Sequence, residues 1–142
     1  MTNAERQKIA DAYLDATVRH DIGALRALMT EDFTLWMVPS ARDHGMPVPM
    51  RGREAFLEFV GQLHDRPTMW KPRAYKPQEF LFSEDSVAVR VRLIGDYPSG
   101  LEYDNEYVFI YRFDGDRICE MREFTDTMFI AGLAKKAAEM GA

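Results

Sequence analysis

The feature of the sequence that most constrains the fold is the stretch from Tyr103 to Asp126, where two runs of β-branched and aromatic residues flank a polar, Gly-centred turn. This pattern predicts a long β-hairpin. The odd-numbered positions of its first strand share one face: Tyr103, Asn105, Tyr107, Phe109, Tyr111 and Phe113. Val108 and Ile110 lie on the other face, so both faces are largely apolar. Such a strand is expected inside a sheet covered on both surfaces, by helices on one and by a partner subunit on the other.

Glu123 stands out in the second strand because its same-face neighbours, Cys119 and Met121, are apolar. A carboxylate in such surroundings loses hydration of its charged form, so its pKa is expected to rise toward the range in which it exchanges protons at neutral pH. The alternative is an ordinary glutamate paired with an arginine at the sheet edge. The turn decides its neighbours: an odd number of turn residues places Glu123 with the tyrosines of the first strand, whereas a two-residue turn places it against Val108 and Ile110.

Length and composition fit one soluble globular domain over residues 1–142. The formal net charge of −5 and the pI near 5.2 argue against a nucleic-acid or anionic-membrane partner. No apolar run approaches the ~18 residues that cross a bilayer, and the amino terminus has no signal-peptide core, so a cytoplasmic location is expected. One cysteine and three scattered histidines give no metal-ligand spacing, and no Gly-rich phosphate cradle is present. We therefore expect no metal and no cofactor.

The rest of the chain predicts helices first and most strands afterwards. Helices are expected over residues 4–20, 22–29 with Asp21 as the cap, 54–64 and 127–140, with Thr30-Glu31-Asp32 ending the second. Strands are expected over 33–38, 78–82 and 86–95 and from Tyr103 onward, and residues 39–49 form a Pro-rich loop of a length that often covers a pocket. This layout predicts an α+β fold, a cone-shaped barrel in which a curved antiparallel sheet wraps around the amino-terminal helices. Its open end suits a small-molecule pocket.

Several segments make the chain resemble the SnoaL-like branch of the nuclear transport factor 2-like superfamily, and within it the phenazine-biosynthesis A/B proteins. These segments are Thr30-Glu31-Asp32 with Leu35-Trp36, Arg51-Gly52-Arg53-Glu54, Tyr97-Pro98-Ser99-Gly100, Tyr103-Asp104-Asn105 and Arg122-Glu123-Phe124. The resemblance implies a homodimer whose pocket holds ring acids for imine-forming condensation with acid–base help from side chains.

The family's pocket tyrosine and pocket glutamate fall here on Tyr103 and Glu123. Its helix histidine and serine fall on Phe59 and Leu63, and the nearby His64 is about 100° around the helix from an equivalent position. The chain thus lacks the helix histidine of the family, the side chain best suited to carry protons near neutral pH. Two other members of the superfamily, ketosteroid isomerase and limonene-epoxide hydrolase, are poorer models, because neither catalytic pattern carries over residue by residue.

The leading hypothesis is a cofactor-free enzyme of specialised metabolism acting on a cyclic carbonyl, imine or enol, with Glu123 as general acid–base and Tyr103 as hydrogen-bond donor. Asp126 is a second acid–base candidate, although its capping of the final helix is favoured. The pocket wall is expected to include Trp36, Tyr13, Phe59, Leu63, Asn105 and Tyr107, with His44 as an exposed loop residue or a lid residue. Two alternatives stay open: a pocket that binds a metabolite without chemistry, and a purely structural subunit.

Overall fold

The computed structural model describes residues 1–43 and 45–141, and in it two helices precede the first strand. The first half of the chain forms α1 (Asn3–Val18), α2 (Ile22–Leu28), β1 (Met29–Met37), a short α3 (Pro39–Asp43), β2 (Met50–Arg51) and α4 (Arg53–Asp65). The second half forms β3 (Lys71–Phe82), β4 (Ser86–Asp96), β5 (Glu102–Asp114), β6 (Arg117–Thr125) and α5 (Thr127–Glu139).

The strands form one curved sheet in the order β2-β1-β6-β5-β4-β3. All neighbouring strands are antiparallel except β1 and β6, which run parallel. Helix α1 packs on β3 and β4, and α4 packs on β1 and β2, so the helices and the concave face of the sheet enclose the core. The predicted cone-shaped α+β fold is confirmed, and the one parallel pair is an addition to it.

Polar side chains begin three of the helices by accepting hydrogen bonds from backbone amides that have no partner within the helix. Thr2 and Glu5 form a capping box at α1. The amide of Ala24 donates to Asp21 Oδ1 at 3.0 Å, which confirms Asp21 as the cap of α2. The amide of Phe129 donates to Asp126 Oδ1 at 3.0 Å, so Asp126 caps α5.

Three element boundaries differ from the sequence-based expectation. Strand β1 begins at Met29 rather than Phe33, because the fully buried Met29 already pairs with Ile118 of β6. Strand β3 begins at Lys71 rather than Gln78 and runs through two prolines. Proline is tolerated there because β3 is an edge strand whose pairing with β4 shifts register directly after each proline. The Pro-rich loop contains the short helix α3.

The register of the β5–β6 hairpin combines a short turn with a bulge. The turn has two residues, Gly115 and Asp116, since Asp114 pairs with Arg117. Further along, Phe113 pairs with Ile118 and Arg112 with Glu120, which leaves Cys119 without a partner. This extra residue is a β-bulge, and it reverses the face of every later side chain in β6. The two-residue turn therefore does not place Glu123 against Val108; the bulge places it opposite Phe109.

The outer face of the sheet is a mixture of ion pairs and half-buried apolar side chains. Arg90 bridges Glu79 at 3.4 Å and Glu106 at 2.7 Å, and Arg92 pairs with Asp104. Val108 and Ile110 are half-buried on this face. The face is thus less apolar than β5 alone indicated, and the homodimer stays a prediction. Within the described residues, no helix combines the length and the apolar character needed to cross a membrane.

Candidate active site

A cavity lies between helices α1 and α4 and the concave face of the sheet, and it offers about 180 Å³ of space to the centre of a water-sized sphere. Its wall is mostly apolar, and its few polar groups come from well-separated parts of the chain. The lining residues are Tyr13, Thr17, His20, Leu35, Met37, Met46, Phe56, Phe59, Val60, Leu63, His64, Met69, Trp70, Lys71, Pro72, Tyr75, Phe109, Met121 and Glu123. An apolar cavity with a few converging polar groups is typical of a small-molecule site.

Among the described residues that line this wall, Glu123 is the only acidic one. It lies in the sheet between Phe109 of β5 and Met37 of β1, which also border the cavity. Glu123 is half-buried in the sheet, and it borders the cavity. Burial raises the pKa of Glu123 to about 7, and no ion pair or hydrogen bond among the described residues opposes this rise. Glu123 is therefore not the arginine-paired glutamate that the sequence left open as an alternative.

Two phenol groups share the cavity with the Glu123 carboxylate. Tyr13 and Tyr75 line the cavity together with it. Burial raises the pKa of both phenols well above the usual range; the Glu123 carboxylate raises both further, and Tyr13 also raises that of Tyr75. Both hydroxyls are therefore protonated near neutral pH, where they can donate a hydrogen bond but cannot act as bases.

Tyr103, predicted as the hydrogen-bond donor to substrate, lies behind the cavity wall. Its ring stacks on Trp70, with centroids 4.0 Å apart, and only 1% of its surface is exposed. Its hydroxyl hydrogen-bonds to that of Tyr107 and accepts from Asn105 Nδ2 at 3.3 Å, while the same Nδ2 donates to Thr125 Oγ1 at 2.9 Å. Burial raises the pKa of Tyr103 to about 12. None of Tyr103, Asn105 and Tyr107 borders the cavity, so they support Trp70 rather than meet a ligand directly.

The remaining predicted residues divide between the cavity and the outside. Tyr13, Phe59 and Leu63 line the cavity, as expected of pocket-wall residues. Trp36 does not: it points to the outer face of the sheet and packs on Phe124 at a centroid distance of 5.3 Å, because successive side chains of β1 alternate between faces. Asp126 is engaged as the α5 cap. His44 lies outside the described residues.

The sequence did not predict several polar groups of the cavity, among them Tyr75, His20 and His64. Tyr75 lies outside the strands that the sequence predicted, but β3 includes it and places it on the cavity wall. His20 was not predicted as a pocket residue and His64 was placed away from the family's histidine position, yet their rings stack 3.7 Å apart at the cavity. The local sequence gave no signal for Tyr75, because two prolines interrupt the strand pattern around it. The histidine pair gave none either, because it joins the ends of two separate helices.

Gly95 is the residue that lets Trp70 lie against the sheet. A Cβ at Gly95 would come within 2.7 Å of Trp70 Cε3 and still closer to the carbonyl oxygen of Lys71. We expect Gly95→Ala to lower the free energy of unfolding by about 1–3 kcal/mol, because the ring and the β3 backbone must both move. Urea denaturation measures this.

A matched control for Gly95→Ala is Gly61→Ala. Gly61 lies in α4, and a Cβ there meets nothing within 4 Å. Alanine in a helix interior is expected to stabilise the protein by up to about 1 kcal/mol. Equal effects of the two substitutions would show that Gly95 is not needed for close approach.

A small α+β cone with a largely apolar cavity, and with one desolvated carboxylate on its wall, defines a class of proteins that bind or transform small organic molecules. The family model described as a SnoaL-like domain matches residues 10–121, and the chain belongs to this family. Among the described residues, no group of three or more His, Cys, Asp or Glu side chains is placed to hold a metal ion.

Solved structures share this fold at low sequence identity. TerC co-crystallised with polyporic acid has a TM-score of 0.78 and 16% identity, covering 92% of this chain and 98% of that one. A candidate SnoaL-like polyketide cyclase from Jannaschia sp. CCS1 has a TM-score of 0.71 and 19% identity, covering 90% of both chains. An LEH-like epoxide hydrolase from M. tuberculosis has a TM-score of 0.71 and 15% identity, covering 88% of this chain and 85% of that one. At such identities the likeness establishes the fold alone. A search of curated protein sequences finds no match.

Proposed function

We propose that the protein is a cofactor-independent acid–base enzyme that acts on a cyclic carbonyl, imine or enol by condensation, cyclisation or isomerisation. The observation that carries this proposal is the position of Glu123: an unpaired carboxyl on an apolar cavity wall whose burial raises its pKa to about 7. A general acid–base group works best when its pKa lies near the working pH, since both protonation states are then populated.

The geometry supports a simple division of roles. The Glu123 carboxylate takes a proton from the carbon or nitrogen next to the reacting carbonyl or imine, and its carboxylic acid form returns the proton elsewhere on the substrate. A neutral phenol, Tyr13 or Tyr75, donates a hydrogen bond to the oxygen on which charge develops. The apolar wall excludes water and holds a flat ring in place. This assigns the donor role to phenols that border the cavity rather than to Tyr103.

Two likenesses bear on the substrate. The resemblance to the phenazine-biosynthesis A/B proteins favours condensation of ring acids, with a place in antibiotic biosynthesis. The shared fold of TerC, which was co-crystallised with polyporic acid, is consistent with an organic acid as ligand. A homodimer also remains part of this proposal, by the same resemblance.

A binding protein without chemistry is the second candidate. It is favoured by the apolar side chains of Phe59 and Leu63 on the cavity wall, where the resemblance places a histidine and a serine in the phenazine-biosynthesis proteins. A binder would hold a ring compound through burial of apolar surface and would not move protons. The enzyme and the binder therefore differ in a rate that can be measured, the rate at which a bound compound exchanges its protons.

Exchange of protons for deuterium in 2-tetralone separates the enzyme from the binder. This bicyclic ketone is apolar, and its ring protons next to the carbonyl exchange slowly with D₂O near neutral pH without a base. We expect the protein to accelerate exchange above the buffer rate, as followed by proton NMR. The rate should rise with pH and reach half its maximum near pH 7, because only the ionised carboxylate accepts a proton. Binding of 2-tetralone without acceleration would instead establish the binder.

A further inference from the structure

Three side chains that carry or can gain positive charge line the cavity near the ends of two helices and the start of β3. His20 follows the end of α1, and His64 lies in the last turn of α4. Their rings stack with centroids 3.7 Å apart and an interplanar angle of 11°. Lys71, at the start of β3, lines the same cavity. We call His20, His64 and Lys71 the basic cluster.

The basic cluster occupies a part of the cavity wall separate from Glu123, which is not among the groups that shift the pKa of His20. Along α1, the cavity-lining residues Tyr13 and Thr17 succeed one another toward the end of the helix at Val18, and His20 follows just beyond it, so Tyr13 and His20 are roughly 10 Å apart along the helix axis. The Glu123 carboxylate affects the pKa of Tyr13 at one end of this row but not that of His20 at the other. Apolar side chains, among them Phe59 and Leu63, line the wall of the same cavity.

The positive charge of the basic cluster is poorly compensated. Asp65 is the acidic group beside it, with Oδ1 3.5 Å from His64 Nδ1, and its side chain is 83% exposed to solvent. The Lys71 ammonium makes only a long contact, 3.5 Å, to the backbone oxygen of Arg66. Helix C-termini favour protonated imidazoles, because the exposed carbonyl groups there carry partial negative charge. An anion that reaches the cluster from inside the cavity therefore meets donors with free capacity.

We propose that the basic cluster is the subsite for an acidic group of the substrate, which is a flat, apolar compound of two or three fused rings with one carboxylate or similar anion about 10 Å from its reacting carbon. This inference rests on the proposed function for the role of Glu123 at the other end. It narrows the substrate class to elongated ring acids. A neutral ring compound of the same shape would lack the second anchor.

Binding of an acid at this subsite is expected to take up protons. Burial lowers the pKa of His20; the neighbouring His64 and Lys71 lower it further, and Asp65 opposes them. A bound anion acts in the same direction as Asp65, so it favours the imidazolium form of His20. Affinity for the acid should therefore increase as pH falls, and the affinity for a neutral analogue should not change.

The test compares anthracene-2-carboxylic acid with anthracene-2-carboxamide, two fluorescent probes of the same shape. Both are titrated into the Glu123→Gln variant, so that neither proton transfer nor the ionisation of Glu123 affects the result. We expect the acid to bind at least about tenfold more tightly than the amide at pH 6, the effect of one charge-assisted hydrogen bond. The preference should shrink at pH 8.

Variants of the basic cluster identify the groups responsible. His64→Gln and Lys71→Gln remove charge from exposed or half-exposed positions, and His20→Asn suits the positive φ of 52° at that residue. Together they should abolish the preference for the acid and leave the affinity of the amide unchanged. Equal binding of both probes, failure of the acid to bind, or a preference that survives all three substitutions would overturn the subsite. Lack of 2-tetralone exchange in the wild type, with the acid preference intact, would overturn the proposed catalysis alone.

Discussion

Replacing Glu123 with glutamine is expected to slow protein-catalysed deuterium exchange into 2-tetralone by about 10²–10⁴-fold, the usual contribution of one positioned acid–base group. Glutamine has nearly the same shape as glutamate, so the cavity and its apolar contacts are retained. The amide cannot accept the proton that the carboxylate takes. Affinity for 2-tetralone, followed through the fluorescence of Trp70 in the cavity wall, should therefore change little.

Glu120→Gln is the matched control for this prediction. Glu120 lies in the same strand as Glu123 but on the outer face, where its Oε1 lies 2.9 Å from Arg122 Nε. The substitution removes one negative charge from β6 without reaching the cavity, so exchange should proceed at the wild-type rate. An undiminished rate in Glu123→Gln, or an equal loss in Glu120→Gln, would contradict the role assigned to Glu123.

The wild-type protein is expected to lose about 2–3 kcal/mol of stability relative to the Glu123→Gln variant when the pH rises from 5 to 8.5. In the unfolded chain the Glu123 carboxyl releases its proton near the ordinary glutamate pKa of 4.5, whereas in the folded protein burial raises this pKa and holds the proton until about pH 7. Between these two values the folded state binds more protons than the unfolded state. Raising the pH therefore favours unfolding, and the penalty is complete above pH 7.

Urea denaturation of both proteins at several pH values measures this difference. Subtracting the two stability curves removes the contributions of the other ionisable groups, which the variant retains. The difference should be small near pH 5, grow through the interval up to pH 7 and level off above it. Curves that stay parallel would show that Glu123 ionises at an ordinary pKa in the folded protein. Glu120→Gln is the charge-matched control, because it removes one carboxylate from the outer face of the same strand and leaves Glu123 in place.

The sequence was sufficient for the local features. Alternating β-branched and aromatic residues predicted the β5–β6 hairpin, and capping chemistry located the starts of α2 and α5 at Asp21 and Asp126. These features depend on neighbours within a few residues, which a sequence displays directly. The isolation of Glu123 among apolar residues was also visible, because the inner face of the sheet must be apolar to form a core.

Only the tertiary structure decided which residues Glu123 meets. The turn length alone assigned it to the outer face, and the bulge at Cys119 returned it to the inner one. That bulge is stabilised by pairing with β5 and β1 on both sides, and nothing in the local sequence requires it.

Contacts between remote parts of the chain likewise decided which residues line the cavity. Trp36 was predicted on the cavity wall but lies outside it, whereas Tyr75 lines the cavity. Which side chains of a strand face inward is fixed only once the register of that strand in the sheet is known. His20 and His64 come together because α1 and α4 end at the same side of the cone. The sequence by itself determined most helices and strands and the unusual position of Glu123. The packing of helices against a curved sheet determined which groups surround Glu123, because contacts between remote segments have no signature in either segment alone.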